Sequence, residues 1–175
     1  MSARYSILFL VLIIAIIACN RTKKDMLIRN WHAVKLDNPQ LNDMIQQQQL
    51  FIDTVGTSTN AEVNRTLYNT TRIDSLKSAL QSQLDSFVVL QKMALANTWF
   101  NFKKSGIAVL TFNGATDSTS WHFDDDGTLI LDELQQTGGV DKLKMLVVQL
   151  NDTVLRLRFM QNNINSVVSF HPEKN

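Results

Sequence analysis

Acidic side chains cluster in one short stretch of the sequence, His122-x-Asp124-x-Asp126-Gly127, with Glu133 six residues beyond the glycine. This spacing is that of a calcium loop, in which oxygen ligands surround a sharp turn made at a glycine. The first position is a histidine, however, which is a poor ligand for a hard cation, and both flanks alternate as β-strands do. We therefore interpret the acidic residues as a hairpin tip and predict no metal site.

Other patterns that carry chemistry are missing from the sequence. His32, His122 and His171 are scattered and do not have the HxH or HExxH spacing of zinc sites. There is no GxSxG motif, no glycine-rich phosphate loop, and no cysteine other than Cys19, which the lipid anchor described below would use. We predict that the protein is not an enzyme and that it holds no cofactor.

Cys19 follows a segment with the features of a secretion signal. Arg4 is the only charged residue before it, and the apolar run Ile7–Ile17 is shorter than the about 20 residues that cross a bilayer. Ile16-Ile17-Ala18-Cys19 resembles the lipobox of bacterial lipoproteins, in which the thiol is joined to diacylglycerol and the signal is cleaved before the cysteine. The resemblance implies a removed signal peptide at residues 1–18 and a lipid anchor on Cys19. The other interpretation is an uncleaved membrane anchor.

The composition after the signal argues against nucleic-acid binding, and the lipobox resemblance implies a place in the cell envelope. One of the 17 basic residues lies in the signal, so 16 basic residues balance 16 acidic ones. Residues 19–26 are predicted to be the lipidated cysteine and a polar tether, whose basic side chains either touch anionic head groups or are solvated. Cys19 is not followed by a run of acidic residues of the kind that sends some such lipoproteins to the cell surface. We therefore expect a lipid-anchored protein at the outer membrane, facing the periplasm.

Helical periodicity follows a first predicted strand, Ile28–Leu36. Pro39 is well placed to open a helix, and a longer helix is predicted over about residues 72–96, with Thr71 and Asp74 as a capping box. This longer helix could form a coiled coil, dock a partner or cover its own barrel. Its predicted apolar stripe consists of Ile73, Leu76, Leu80, Leu84, Phe87, Leu90 and Ala94.

From Thr98 onward the apolar residues alternate with period 2 and turn signals recur. The stretch WHFDDDGTLIL, residues 121–131, is predicted to be a hairpin with a type I′ turn at Asp126-Gly127. Seven strands in this half and the first strand make eight, the number at which an up-and-down sheet can close around packed side chains or one small ligand. The seven are predicted over residues 98–104, 107–112, 118–123, 128–133, 143–150, 154–160 and 164–170.

The predicted fold class is mainly β with a helical insertion at about residues 38–97. It is an eight-stranded antiparallel up-and-down barrel, with the helices packed on its outside or across one end. Ile107–Phe112 and Met145–Val148 are apolar on both faces, and we expect the inserted helices to cover them.

The chain from Leu27 to Phe170 resembles the lipocalin-like domains of bacterial lipoproteins, especially those of Bacteroidota-type bacteria. The resemblance implies an extracytoplasmic lipocalin-like barrel domain over residues 27–172, of a type often assumed to hold small apolar molecules. The matching pieces are Trp31, Phe102–Gly106, the hairpin at residues 121–131, and Val148–Asp152 followed by Leu155 and Leu157.

The first functional hypothesis is that the anchored barrel binds a small apolar or amphipathic molecule. The second is that it is a scaffold with a solid core, whose inserted helices dock an envelope partner protein. A cavity on the order of several hundred Å³ favours binding, whereas bulky residues that meet at the centre favour the scaffold. Candidate lining residues, which could equally fill a dry core, are Trp31, Phe102, Trp121, Phe123, Leu157 and Phe159.

Overall fold

The computed structural model describes residues 22–56, 60–132, 142–161 and 164–173. Eight antiparallel strands each pair with the next and the last pairs with the first, so the sheet closes into a barrel. This up-and-down barrel with a helical insertion confirms the predicted fold class. The strands are β1 Asn30–Asp37, β2 Trp99–Phe102, β3 Ile107–Phe112, β4 Ala115–Phe123, β5 Leu129–Asp132, β6 Lys142–Leu150, β7 Leu155–Gln161 and β8 Ile164–Pro172.

The described helices are α1 Lys23–Leu27, α2 Pro39–Thr54, α3 Ala61–Tyr68 and α4 Ile73–Ala96. Pro39 opens α2 as predicted, and the Asn38 side chain caps this helix by accepting from the Leu41 N–H at 2.9 Å. Neither α1 nor α3 was predicted from the sequence. α1 begins at residue 23, inside the segment that was predicted to be the tether, residues 19–26. In the described part of the chain, no helix has both the length and the apolarity needed to cross a membrane.

The capping box predicted for the long helix is wrong. Arg72 is the N-cap residue of α4, and its side chain makes no capping hydrogen bond. The Thr70 hydroxyl accepts from the Arg72 N–H, but Thr70 lies two residues before the N-cap position. A complete capping box lies instead on α1, between Thr22 and Asp25.

The two ends of the barrel are covered differently. At the end where β1 begins, here called the plugged end, α1 lies across the opening. At the opposite end, the open end, β1 leads into the inserted helices α2, α3 and α4. The buried core consists of Leu27, Trp31, Ala33, Phe100, Phe102, Ala108, Leu110, Trp121, Leu129, Leu131, Met145, Leu155, Leu157 and Phe170.

The inserted helices pack on one side of the barrel. α4 packs against β1 and α2 packs against β8, and the two helices pack on each other. Our expectation that they cover β3 and β6 is wrong, because the outward side chains of Ile107, Leu146 and Val148 remain exposed. The insertion leaves β1 and returns into β2. Its helices pack on the outside of the barrel where β8 and β1 are neighbours.

Two hairpins show how turn chemistry differs. Asn113 and Gly114 both have positive φ, 47° and 87°, as a two-residue type I′ turn requires. At Asp126-Gly127 only the glycine does, at 82°, so the predicted type I′ turn is wrong. The longer turn runs from Asp124, whose carbonyl accepts from the Gly127 N–H at 3.0 Å. Carboxylate oxygens of Asp124 and Asp126 accept from the Thr128 N–H, each at 2.8 Å, and stabilise this wider loop.

Several predictions lie outside the described residues. They concern the signal peptide, the lipid anchor on Cys19, and Glu133.

Candidate ligand-binding site

The C-terminal end of α4 is fixed over the open end of the barrel by backbone bonds. The Asn113 N–H, in the β3–β4 turn, donates to the Asn97 carbonyl at 3.1 Å, and the Ala33 N–H donates to the Thr98 carbonyl at 3.0 Å. Nε2 of His32 donates to the Ala96 carbonyl at 2.8 Å, and its ring stacks on Trp99 with centroids 3.9 Å apart. The last turn of α4 is therefore held between β1 and the β3–β4 hairpin.

An irregularity in β1 turns an additional apolar side chain inward at this end. Trp31 and Ala33 face the barrel interior, so strict alternation would direct Lys35 inward next. The register shifts between Ala33 and Lys35, and Leu36 then pairs with Val168 of β8. A β-bulge adds one residue to one strand, and this changes which of the following side chains face inward. Leu36 consequently lies beside Val168, and both face the interior of the open end.

A cavity of about 290 Å³ lies between α4 and the strands at the open end. Eight of its ten lining residues are apolar, and none of the ten is charged or a histidine. Phe100 is central to its wall, with Phe170 4.9 Å and Phe112 5.4 Å away between ring centroids. The lining consists of Leu36, Gln91, Ala94, Leu95, Thr98, Phe100, Phe112, Phe159, Val168 and Phe170.

Gln91 provides the polar group best placed to meet a ligand in this cavity. The other polar side chain, Thr98, donates its hydroxyl hydrogen to the Ala94 carbonyl at 2.8 Å. Within the described residues, the Gln91 amide makes no side-chain hydrogen bond. Gln91 could therefore donate and accept hydrogen bonds to a ligand among otherwise apolar walls.

The predicted stripe of α4 is wrong at one position. The buried face runs through Leu84 and Phe87 to Gln91 and Ala94, with steps of three and four residues. Leu90 points to solvent and is 64% exposed. Either Leu90 or Gln91 continues a helical stripe after Phe87, and apolarity alone favours Leu90. The structure instead places a polar side chain against the cavity.

Four of the six candidate lining residues belong to the packed interior of the barrel. Trp31, Phe102, Trp121 and Leu157 are almost completely buried. The indole N–H of Trp31 donates to the Leu27 carbonyl at 2.9 Å, and that of Trp121 donates to the Lys103 carbonyl at 3.3 Å. These two bonds satisfy the polar atoms of both rings within the plugged end.

The last two candidates lie apart. Phe123 is partly buried against Trp121, 6.1 Å away between ring centroids, at the plugged end. Phe159 lines the cavity at the open end. The structure therefore brings one of the six predicted residues to the cavity. It adds Leu36, which depends on the bulge, and Gln91, which depends on the rotation of α4; neither has a clear signal in the sequence.

The acidic hairpin tip uses its carboxylates within its own turn. Asp124 and Asp126 both accept hydrogen bonds from Thr128, and hydrogen bonding to Thr128 is the main cause that lowers the pKa of Asp126. Within the described ranges, no three His, Cys, Asp or Glu side chains are grouped so that they could hold a metal ion. The tip thus has a structural role in the hairpin.

A serine, a histidine and an aspartate meet on the outer face of β4 and β5. The Ser120 hydroxyl donates to Oδ2 of Asp132 at 2.9 Å, and Nδ1 of His122 lies 3.4 Å from the same oxygen. Lys142 Nζ lies 3.4 Å from Oδ1 of Asp132. A nucleophilic serine needs a base that takes its proton, and here the serine and the histidine both contact the carboxylate. The Ser120 hydrogen bond is the main cause that lowers the pKa of Asp132. These contacts link β4, β5 and β6.

The sequence matches no protein-family model, and no curated protein is similar to it. Among solved structures, the chain is similar to a DUF4847 family protein from Bacteroides vulgatus ATCC 8482, whose crystal structure was determined at 1.00 Å resolution. The two chains are 11% identical and superpose with a TM-score of 0.44, over 87% of this chain and 98% of that one.

Proposed function

We propose that this protein is a lipid-anchored lipoprotein of the bacterial cell envelope, with a lipocalin-like barrel that binds a small apolar or amphipathic molecule. The observation that supports this is the apolar cavity of about 290 Å³ at the open end. This volume lies at the lower limit of the about 300–1,000 Å³ that ligand pockets commonly enclose, so it suits a small molecule. The proposed role is binding, with no catalytic step, and the proposed location is the outer membrane on its periplasmic side.

The lining restricts the chemistry of the ligand. Aromatic and aliphatic walls favour an apolar body, because apolar surface removed from water contributes about 25 cal/mol per Å². A charge inside the cavity would have no charged partner among the lining residues and would be costly to desolvate. We expect the part of the ligand that enters to be uncharged, with a hydroxyl, amide or carbonyl group near Gln91.

The anchor rests on the sequence around Cys19. The lipobox-like segment Ile16–Cys19 follows an apolar signal and precedes the folded domain by a few residues. Two or three acyl chains would hold the domain stably, because each buried CH₂ contributes roughly 0.8 kcal/mol. Metabolic labelling with a palmitate analogue tests this proposal: the wild-type protein should take up label, and Cys19→Ala should not.

Native mass spectrometry tests ligand binding. A soluble form that begins at residue 20 is incubated with lipid extract from bacterial envelopes, and a reproducible small-molecule adduct is expected. Ala94→Trp fills the cavity from α4 and should abolish the adduct. Ala79→Trp makes the same substitution on an exposed position of the same helix and should keep it. An adduct that persists in Ala94→Trp would place the ligand elsewhere, and no adduct in the wild-type protein would contradict binding.

One observation favours the second candidate, a scaffold that docks an envelope protein. Leu50 of α2 and Leu67 of α3 are about two-thirds exposed, and the two helices meet where Phe51 packs edge-on against Tyr68. Isolated exposed leucines are common, whereas neighbouring ones can form a docking surface. If the scaffold candidate is correct, Leu50→Gln with Leu67→Gln removes a crosslinked envelope partner in cells, and Ala94→Trp does not.

A further inference from the structure

We propose that the open end of the barrel points away from the membrane that holds the lipid anchor, so that ligand enters the cavity from the aqueous side. This inference rests on the proposed lipid anchor on Cys19. It adds a direction of ligand exchange to the proposed function. Three observations support it: the position of α1, the short segment before α1, and the path of the inserted helices.

The chain enters the fold at the plugged end, and its first described residues are held there. The Thr22 hydroxyl accepts from the Asp25 N–H at 3.1 Å, and Asp25 Oδ2 accepts from the Thr22 N–H at 3.2 Å. This capping box fixes the start of α1. The amide of Ile28 then donates to the Lys24 carbonyl at 3.2 Å and ends the helix.

α1 is part of the core and does not behave as a tether. The Leu27 side chain is 0% exposed, and its carbonyl accepts from the Trp31 indole N–H at 2.9 Å. The Lys24 ammonium group lies 5.8 Å above the ring of Trp121. Displacing α1 would expose Leu27 and leave the Trp31 indole without this acceptor. Thr22 is therefore held beside the plugged end.

The segment between Cys19 and Thr22 is too short for the barrel to reverse its orientation on the membrane. Three residues reach at most roughly 10 Å, at about 3.5 Å each. β4 has nine residues, which at about 3.3 Å each and a tilt of about 35–45° give a barrel roughly 20–25 Å high. The tether is about half that height. An anchor on Cys19 thus keeps the plugged end near the bilayer and the open end away from it.

The rest of the fold agrees with this direction. β8 also ends at the plugged end, where the Glu173 N–H donates to the Asn30 carbonyl at 3.0 Å. The inserted helices leave and re-enter the barrel at the other end. Two partly exposed apolar side chains, Leu36 and Phe112, line the cavity there and lie at its mouth. In this orientation these side chains face water, and an apolar ligand meets them first.

Fluorescence quenching in vesicles tests the orientation. The lipidated full chain is placed in vesicles of phosphatidylethanolamine and phosphatidylglycerol that contain a head-group spin label. Acylation occupies the only native thiol, so Asp125→Cys labels the plugged end and Ala115→Cys labels the open end, both at exposed positions. We expect several-fold stronger quenching of the probe at residue 125. Equal quenching, or stronger quenching at residue 115, would overturn the inference.

A longer tether provides the control. Thirty Gly/Ser residues inserted before Thr22 have a root-mean-square length of roughly 30 Å, which exceeds the barrel height. The difference between the two probes should shrink in this variant, and an unchanged difference would contradict the tether argument. Intact mass separates the two proposals: a chain without lipid on Cys19 overturns the anchor and the orientation together, whereas a lipidated chain with equal quenching overturns the orientation alone.

Ligand loading tests the direction of exchange. Radiolabelled hexadecanol is supplied either in the protein's own vesicles or as a cyclodextrin complex in the surrounding water. We expect the wild-type protein to load several-fold faster from the complex, and the long-tether variant to gain loading from its own vesicles. Equal or faster loading of the wild-type protein from its own bilayer would overturn the proposed direction.

Discussion

The two ends of this barrel have similar inward-facing residues but different packing. At the plugged end, Trp31, Phe102 and Trp121 contact one another or their neighbours and are almost completely buried. At the open end, Phe112 and Phe159 border a cavity of about 290 Å³. A ring of inward aromatic residues therefore fills a core or lines a cavity depending on what covers that end of the barrel.

The covering helices explain this difference. α1 inserts the side chain of Leu27 into the barrel and provides a carbonyl acceptor for Trp31. The C-terminal end of α4 lies over the open end, with Gln91, Ala94 and Leu95 towards the interior. The small side chain of Ala94 and the polar one of Gln91 do not fill the volume beneath them. The cavity is thus a property of the covering helix as much as of the strands.

The largest expected effect is on the stability of the plugged end. Trp31→Ala should lower the free energy of unfolding by about 3–5 kcal/mol, because it leaves a large void in a tightly packed region. Phe112→Ala is the matched change at the open end and should cost less than about 1 kcal/mol, because the ring is already 46% exposed. Urea unfolding of the soluble form measures both. Similar losses in the two variants would contradict the distinction between the ends.

Leu27→Ala tests α1 as the plug. We expect a loss of about 2–4 kcal/mol, since the side chain is completely buried. Leu50→Ala, at an exposed position of α2, should change stability by no more than about 0.5 kcal/mol. Hydrogen exchange of the Trp31 indole provides a local measurement, and it should become faster in Leu27→Ala. An unchanged rate would show that α1 does not protect this end.

Most of the fold could be predicted from the sequence because each strand has its own local signal. Period-2 alternation and turns such as Asn113-Gly114 indicate strands without any knowledge of the tertiary structure. α1 was missed because five residues with three charges show no helical period. Its stability depends on the burial of Leu27 and on a cap at Thr22, both of which depend on the barrel.

The candidate site was less predictable because it depends on small shifts in geometry. A bulge in β1 brings Leu36 inward, and a rotation of α4 brings Gln91 inward and leaves Leu90 outside. Each shift is about one residue in size, and tertiary packing selects it. Strict alternation from Ala33 leads to Lys35 and not to Leu36, and apolarity alone favours Leu90 over Gln91. The aromatic residues with the clearest sequence signal, Trp31 and Trp121, belong to the packed end.

Gln91→Leu tests the polar group of the open end. Removing the amide should weaken binding of a long-chain alcohol roughly 2–10-fold, which corresponds to the about 0.5–1.5 kcal/mol of one net hydrogen bond. Binding of an alkane of the same length should be unchanged or stronger. Gln83→Leu, at an exposed position of the same helix, is the control and should affect neither ligand. Isothermal titration with both ligands measures the difference, and equal losses for alcohol and alkane would assign Gln91 a role in packing only.

The smallest expected effect concerns two carboxylates, Asp132 on β5 and Asp126 in the plugged-end hairpin. The Ser120 hydroxyl is the main cause that lowers the pKa of Asp132 below its ordinary value of 3.8, so Ser120→Ala should raise it towards that value. Because the folded pKa lies below the unfolded one, the stabilisation is present above pH 3.8 and is lost as the pH falls through the folded pKa. Stability of the wild-type protein should therefore exceed that of Ser120→Ala at neutral pH, with the difference shrinking in acid. Carbon-detected NMR titration of both carboxylates measures this, with Asp126 unchanged, because Thr128 lowers its pKa independently of Ser120. If Asp132 titrates identically in the variant, its contacts with Lys142 and His122 lower its pKa instead, and the strand-linking role moves from the serine to those two side chains.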